Sequence, residues 1–228
     1  MGYREFPVPL GGLAECGWSS SAGPAPAEHA VLPDGAMDLV WTGADLLVAG
    51  PDTAPHPVRS GPGAVATGLR FRPGALPALL GVPADALLDH RVPMVDLLPR
   101  PAHRALARIE AGEPVLDALL GAVADLPGAP PDRALGVVVR HAVAGAGVAA
   151  TADALGWTSR TLHRRALAAF GYGPAVLRRV LRFRRAVDLL HAGVAPAEVA
   201  ARAGYADQPH LSREVRALAG RSPAQLGA

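Results

Sequence analysis

Apolar residues follow two rhythms along this chain. In residues 1–100 they come in short runs broken by Gly and Pro. HAVLP (29–33), MDLVW (37–41), DLLVAG (45–50) and VATGLRF (65–71) predict strands, with DG (34–35) and TGAD (42–45) suited to hairpin turns between them. RPGALPALLG (72–81) predicts a turn and a short helix, and PADALLDH (83–90) a second helix opened by proline. After about residue 100 the apolar positions recur at helical spacing, in PAHRALARIEAG (101–112) and EPVLDALLGAVADL (113–126). LPGAPPD (126–132) breaks the pattern, and RALGVVVRHAVAG (133–145) resumes it. Further helices are expected at 149–155, 159–169, 174–191, 196–203, 208–218 and 223–226. The expected fold is α+β. A β-rich domain with helices spans residues 1–126, a linker and first helix 127–147, and an all-helical domain 148–228.

The helical part contains a repeat. LHRRALAAFGYGPAVL (162–177) aligns with LSREVRALAGRSPAQL (211–226) at an offset of 49, matching Leu162/Leu211, Arg164/Arg213, Gly171/Gly220 and Pro174/Pro223 among others. Just upstream, ALGW (154–157) faces RAGY (202–205). Each copy reads helix, Gly-aromatic turn, helix, Gly, Pro, which is the outline of a helix-turn-helix unit. The second helix of such a unit lies in the DNA major groove.

In the first unit, Gly156 permits the turn, Trp157 packs inward and Thr158 or Ser159 caps the next helix. With Leu162 facing the core, Ser159, Arg160, Thr161, His163, Arg164 and Arg165 remain for the groove or the phosphates. In the second unit Gly204 and Tyr205 take the turn and Asp207 is the natural cap. Gln208, His210 and Ser212 can reach base edges, and Arg213 and Arg216 can reach bases or phosphates. Pro209 is tolerated because the first helical turn needs no internal N–H donor. Helix 174–191 joins the units and carries Arg178, Arg179, Arg182, Arg184 and Arg185.

Charge supports this reading. The net +2 hides 10 Arg against 15 Asp/Glu in residues 1–150, and 12 Arg against 5 Asp/Glu in residues 151–228. Lysine is absent, and the Ala, Gly and Pro content points to a GC-rich genome that inflates arginine throughout. Such a bias does not make one half acidic and the other basic; a phosphate-binding module does. The one cysteine, Cys16, excludes an internal disulfide or a multi-cysteine zinc site. No run of about 18 uncharged apolar residues marks a membrane span, and MGYREFPVPL lacks a signal-type apolar stretch, so a cytoplasmic protein is expected. There is no Gly-rich phosphate loop, no HExxH and no nucleophile elbow, and the histidines of the first half are widely spread. No enzyme, cofactor or metal is expected.

The duplicated units resemble the DNA-binding half of the AraC/XylS family of bacterial transcription regulators, over roughly residues 133–226. The family signature reads here A-x-x-A-x-x-A-G-Y-A-D-Q-P-H-L-S-R-E-V-R-x-x-x-G-x-S-P-A (197–224). Leu211 and Val215 stand where the family usually has aromatics, and Ala166 where a larger apolar residue is common; these swaps bear on packing. The resemblance implies two recognition helices in adjacent major grooves, about 34 Å apart. LPDGAMDLVW (32–41), AGPDT (49–53) and GLRFRPG (68–74) resemble the N-terminal domain of an actinobacterial subgroup. In the wider family this half is a cupin-like ligand sensor followed by dimerising helices, here 101–126.

The candidate ligand residues are Trp18, His29, Asp34, Asp38, Trp41, Arg70 and Arg72. The two tryptophans could stack on a flat ligand, and Arg70 and Arg72 could hold a carboxylate from one strand face. The expected partners are double-stranded promoter DNA, a small-molecule effector, a second copy of the chain and, for an activator, RNA polymerase. The competing reading is a small-molecule-binding or cupin-like enzyme domain fused to a DNA-binding module.

Overall fold

The computed structural model describes residues 2–227. The first half forms strands β1 (Gly2–Phe6), β2 (Ala14–Ser21), β3 (Ala27–Val31), β4 (Met37–Trp41), β5 (Leu46–Ala49), β6 (His56–Ser60), β7 (Val65–Phe71) and β8 (Arg91–Pro93). Six make one antiparallel sheet in the order β1-β2-β7-β4-β5-β8; β3 and β6 form a separate two-stranded ribbon. TGAD closes a hairpin, with Trp41 opposite Leu46. Asp34-Gly35 does not, because β3 pairs with β6 while β4 pairs with β5 and β7. Asp34 instead accepts a bond from the Ala36 amide at 2.9 Å, which turns the chain from ribbon to sheet.

Strand alternation gives the sheet two unlike faces. Leu39, Leu69 and Phe71 point to one side and pack with Val48 and Met94 against α1 (Ala75–Leu80), α3 (Pro99–Glu110) and α4 (Val115–Ala124). A short helix, α2 (Met94–Leu97), precedes α3, and a 3-10 turn at Ala84–Leu87 takes the place of the helix expected at 83–90. The opposite face carries Trp18, Asp38 and Arg70.

The second half is all helical. α5 (Arg133–Val143), α6 (Val148–Ala154) and α7 (Ser159–Phe170) lead into α8 (Pro174–His191), followed by α9 (Pro196–Ala203), α10 (Gln208–Ala219) and α11 (Pro223–Leu226). It has two cores that divide along α8. Leu177, Val180 and Leu181 join Val138, Leu162 and Phe170, whereas Phe183, Ala186, Val187 and Leu190 join Val199, Leu211 and Val215.

The halves pack directly on one another. Phe170 and Gly171, at the end of α7, meet the first domain, where a Cβ on Gly171 would lie 2.6 Å from Pro51 and 3.2 Å from Leu88. Leu32 packs against the second helical core. Arg184 of α8 donates two bonds to the Glu15 carboxylate, at 2.6 and 2.9 Å.

Candidate nucleic-acid interface

In the first helix-turn-helix, Gly156 turns the chain at φ +63°, a conformation that a Cβ disfavours. Thr158 then caps α7 by accepting from the Thr161 amide at 3.1 Å. Leu162 and Ala166 face the core, which leaves Ser159, Arg160, His163, Arg164 and Arg165 exposed on the outer side. Arg160 and Arg164 lie one turn apart on the same face and make no ion pair among the described residues. Thr161 is half-buried and shares a hydrogen bond with the Thr158 hydroxyl at 3.0 Å. His163 lies against Gly173, where a Cβ would come within 2.7 Å of its ring. Arg165 bonds Asp132 along the surface at 2.8 Å and lies 4.4 Å over the Trp157 ring.

The second unit is built alike. Gly204 turns at φ +81°, and Asp207 caps α10 by accepting from the His210 amide at 2.6 Å. Each cap contributes about 1 kcal/mol and fixes the angle at which its helix leaves the turn. Leu211, Val215 and Leu218 are buried, and the opposite side exposes Gln208, Arg213 and Arg216, with Ser212 half-buried beside them. His210 is held in place: its ring meets Tyr205 edge-on at 5.2 Å and accepts from the Ala206 amide at 3.4 Å.

Most arginines of α8 bond within the protein. Arg178 donates to the Ala146 carbonyl at 3.3 Å. Arg179 and Arg182 both bond Glu214 of α10, and Arg182 also lies 4.5 Å over the Tyr205 ring. Arg184 takes Glu15. Arg185 is exposed and makes no ion pair among the described residues. These pairings join residues 32 to 169 positions apart, so no local spacing announces them. The one sequence signal for them is that Glu214 is the single acidic residue of α10.

On the first domain, the non-core sheet face brings together Trp18, Asp34, Asp38 and Arg70. The Trp18 indole donates to Asp38 at 2.7 Å, and its ring lies so close over Gly68 that a Cβ there would come within 2.4 Å. Arg70 is ringed by Glu5 at 3.3 Å, Asp34 at 3.5 Å and Asp38 at 3.7 Å. Burial pushes the Asp38 carboxyl up to about 6, against the pull of Arg70 and the indole bond. Burial also holds the Cys16 thiol up, at about 11.

Three of the expected ligand residues lie apart from this cluster. Trp41 pairs with Thr67 on the core side, opposite to Trp18, so the two rings cannot flank one ligand. Arg72 lies one residue beyond the end of β7, is exposed and makes no ion pair among the described residues. His29 belongs to the β3–β6 ribbon, its Nδ1 buried without a partner. Arg70 already faces three carboxylates, so a carboxylate ligand there would meet net negative charge.

Comparison with known proteins agrees with the repeat and the fold. Residues 151–228 match the family model described as a helix-turn-helix domain, and residues 7–93 match a domain of unknown function (DUF6597). No curated protein sequence matches the chain. Among solved structures, ToxT from Vibrio cholerae in its 1.65 Å form is similar at 9% identity and a TM-score of 0.50, covering 100% of this chain and 98% of that one. An apo single-residue variant of ToxT from strain SCE256 aligns at 10% identity and a TM-score of 0.51, covering 92% of this chain and 96% of that one. Residues 151–228 therefore belong to the helix-turn-helix domain family. At such identities the likeness to ToxT is one of fold alone. No helix among the described residues is long and apolar enough to cross a membrane.

Proposed function

We propose that this chain is an AraC-type regulator and that it reads two successive major grooves of promoter DNA in a sequence-specific way. Arg160 and Arg164, with Ser159, Thr161 and His163, serve the first groove. Gln208, Ser212, Arg213 and Arg216, with His210, serve the second. The observation that carries this reading is the pair of capped helices α7 and α10, each buried on one side and presenting free Arg or Gln side chains on the other. Arg165 belongs to the support of the first helix. A guanidinium can bond guanine bidentately and a Gln amide adenine, each discriminating by about 1–3 kcal/mol.

The first domain is the regulatory half. It receives a small effector or a dimer contact and transmits it through the packing on α7 and α8. The cytoplasm is where such a protein acts, as a homodimer and, in an activator, in contact with RNA polymerase. The Trp18–Asp38–Arg70 cluster is the candidate effector site. Its surplus of acceptors favours a ligand rich in donors or carrying positive charge. A ligand of that site should raise the melting temperature of the wild-type chain and not of Trp18→Ala; equal shifts in both would remove the assignment.

The test of the reader is operator binding by single variants. Arg164→Ala and Arg213→Ala should each weaken binding by about 5- to 150-fold while the fold is kept. If both bind the operator as tightly as the wild type, the helices have been assigned wrongly.

A further inference from the structure

We infer that Glu214 is a positioning residue that fixes the spacing of the two DNA blocks the protein accepts. The inference rests on both α7 and α10 entering DNA. The distance between them depends on how the second unit sits on α8. The apolar cores alone do not tie the units together across the middle of that helix, since the first core takes its residues up to Leu181 and the second takes them from Phe183 onward. Within the helical half the two cores share α8 and no buried side chain, so the second unit can shift about the point where they divide unless something bridges it.

Glu214 bridges that point. It lies on the second recognition helix, and its carboxylate accepts from Arg179 at 3.0 and 3.1 Å and from Arg182 at 3.4 Å. Arg179 precedes the division and sits between Leu177 and Val180, both of the first core. Arg182 stands at the division itself and stacks on Tyr205, whose ring meets His210 of α10. Thus α10 is tied back across the junction to the half of α8 that belongs to α7. Arg178, one residue earlier, ties that half to the Ala146 carbonyl. The Glu214 side chain is 17% exposed, so water competes little for the bond and screening is weak.

One added base pair between the blocks rotates the second by about 35° around the duplex and shifts it along the axis. A tied pair of helices resists this; an untied pair follows it. The experiment uses the full chain and operators in which the two blocks are separated by the native spacing or by one or two base pairs more or fewer. Wild type should lose about tenfold or more for one base pair of error, the scale of a lost base contact. Glu214→Gln should bind the native operator slightly more weakly and lose no more than about threefold for the same error.

Arg179→Ala, at a half-exposed position, is the second variant and should flatten the spacing profile in the same way. The double variant should add little to Glu214→Gln, since that change already weakens the bond to Arg179 together with the one to Arg182. Circular dichroism and melting confirm that each variant is folded. If both folded variants keep the wild-type spacing profile, Glu214 does not set the spacing. If the wild type itself binds every spacing equally, the two-groove reading fails, and the positioning role fails with it.

Discussion

Individual side chains in this protein are chosen as much by their partners inside the chain as by any ligand outside. Asp38 ionises near 6 when folded, against an ordinary value of 3.8, because burial outweighs Arg70 and the Trp18 bond. Between those values the folded chain holds a proton that the unfolded chain has released. Asp38 therefore favours folding fully below about pH 4, and this contribution is lost as pH rises toward 6, a change on the order of 2–3 kcal/mol. Asp38→Asn, which still accepts from the indole, should flatten the fall in stability between pH 4 and 6 in denaturant melts. An unchanged slope would place the titration elsewhere. Arg165 makes a second case. Bound to Asp132 and Trp157, it should cost stability when changed to Ala, about 1 kcal/mol, with base preference unaltered. A relaxed base preference in selections with Arg165→Ala would return it to the groove.

The periodicity of α7 and α10 made the outward-facing residues legible, because a helix exposes one side by geometry alone. It could not show that Arg165, Thr161 and His210 are held from within, since those contacts depend on where Asp132, Thr158 and Tyr205 lie in space. The same limit applies to Arg70. Its strand was legible, but its three carboxylate neighbours come from β1, β4 and the loop before β4.

At the level of elements, β4, β7, α8, α9 and α11 begin and end where the apolar pattern places them, since strong alternation or Pro and Gly punctuation marks both ends. Strands β1, β2, β6 and β8 escaped notice. GYREF and AECGWSSS are short of β-branched residues, HPVRS carries a proline on a two-stranded ribbon, and RVP has three residues. The Asp34-Gly35 turn misled for another reason: its local chemistry is that of a turn, but strand pairing is decided by distant partners.

The glycines that end helices separate local from domain-level forces. Gly204 and Gly171 both adopt φ near +80°, but only Gly171 is in contact with the other domain. Gly204→Ala should cost about 1–2 kcal/mol for the left-handed conformation alone. Gly171→Ala should cost more, because Pro51, Leu88 and the Ala84 carbonyl stand in the way. Equal losses in chemical denaturation would mean that the domains do not press on α7 in solution.

For the whole molecule, the first domain touches both helix-turn-helix units and the helix between them. Pro51 and Leu88 meet the end of α7, Glu15 holds α8, and Leu32 packs on the second unit. A change in the first domain therefore has a physical route to both α7 and α10. Glu15→Gln removes the charged half of one link, worth about 1–2 kcal/mol at a partly exposed site. Calorimetry should show the two domains unfolding less cooperatively in that variant; a single unaltered transition would mean that Glu15 carries no coupling.

The two helix-turn-helix units are proposed to engage one stretch of DNA together. The most direct test is selection of bound sequences from a random duplex library with the full chain, followed by sequencing. The enriched sequences should share two blocks centred about one helical turn, 10–10.5 base pairs, apart. A single block, or binding without any enriched sequence that collapses as salt rises, would contradict the account and reduce the basic domain to a phosphate-binding surface.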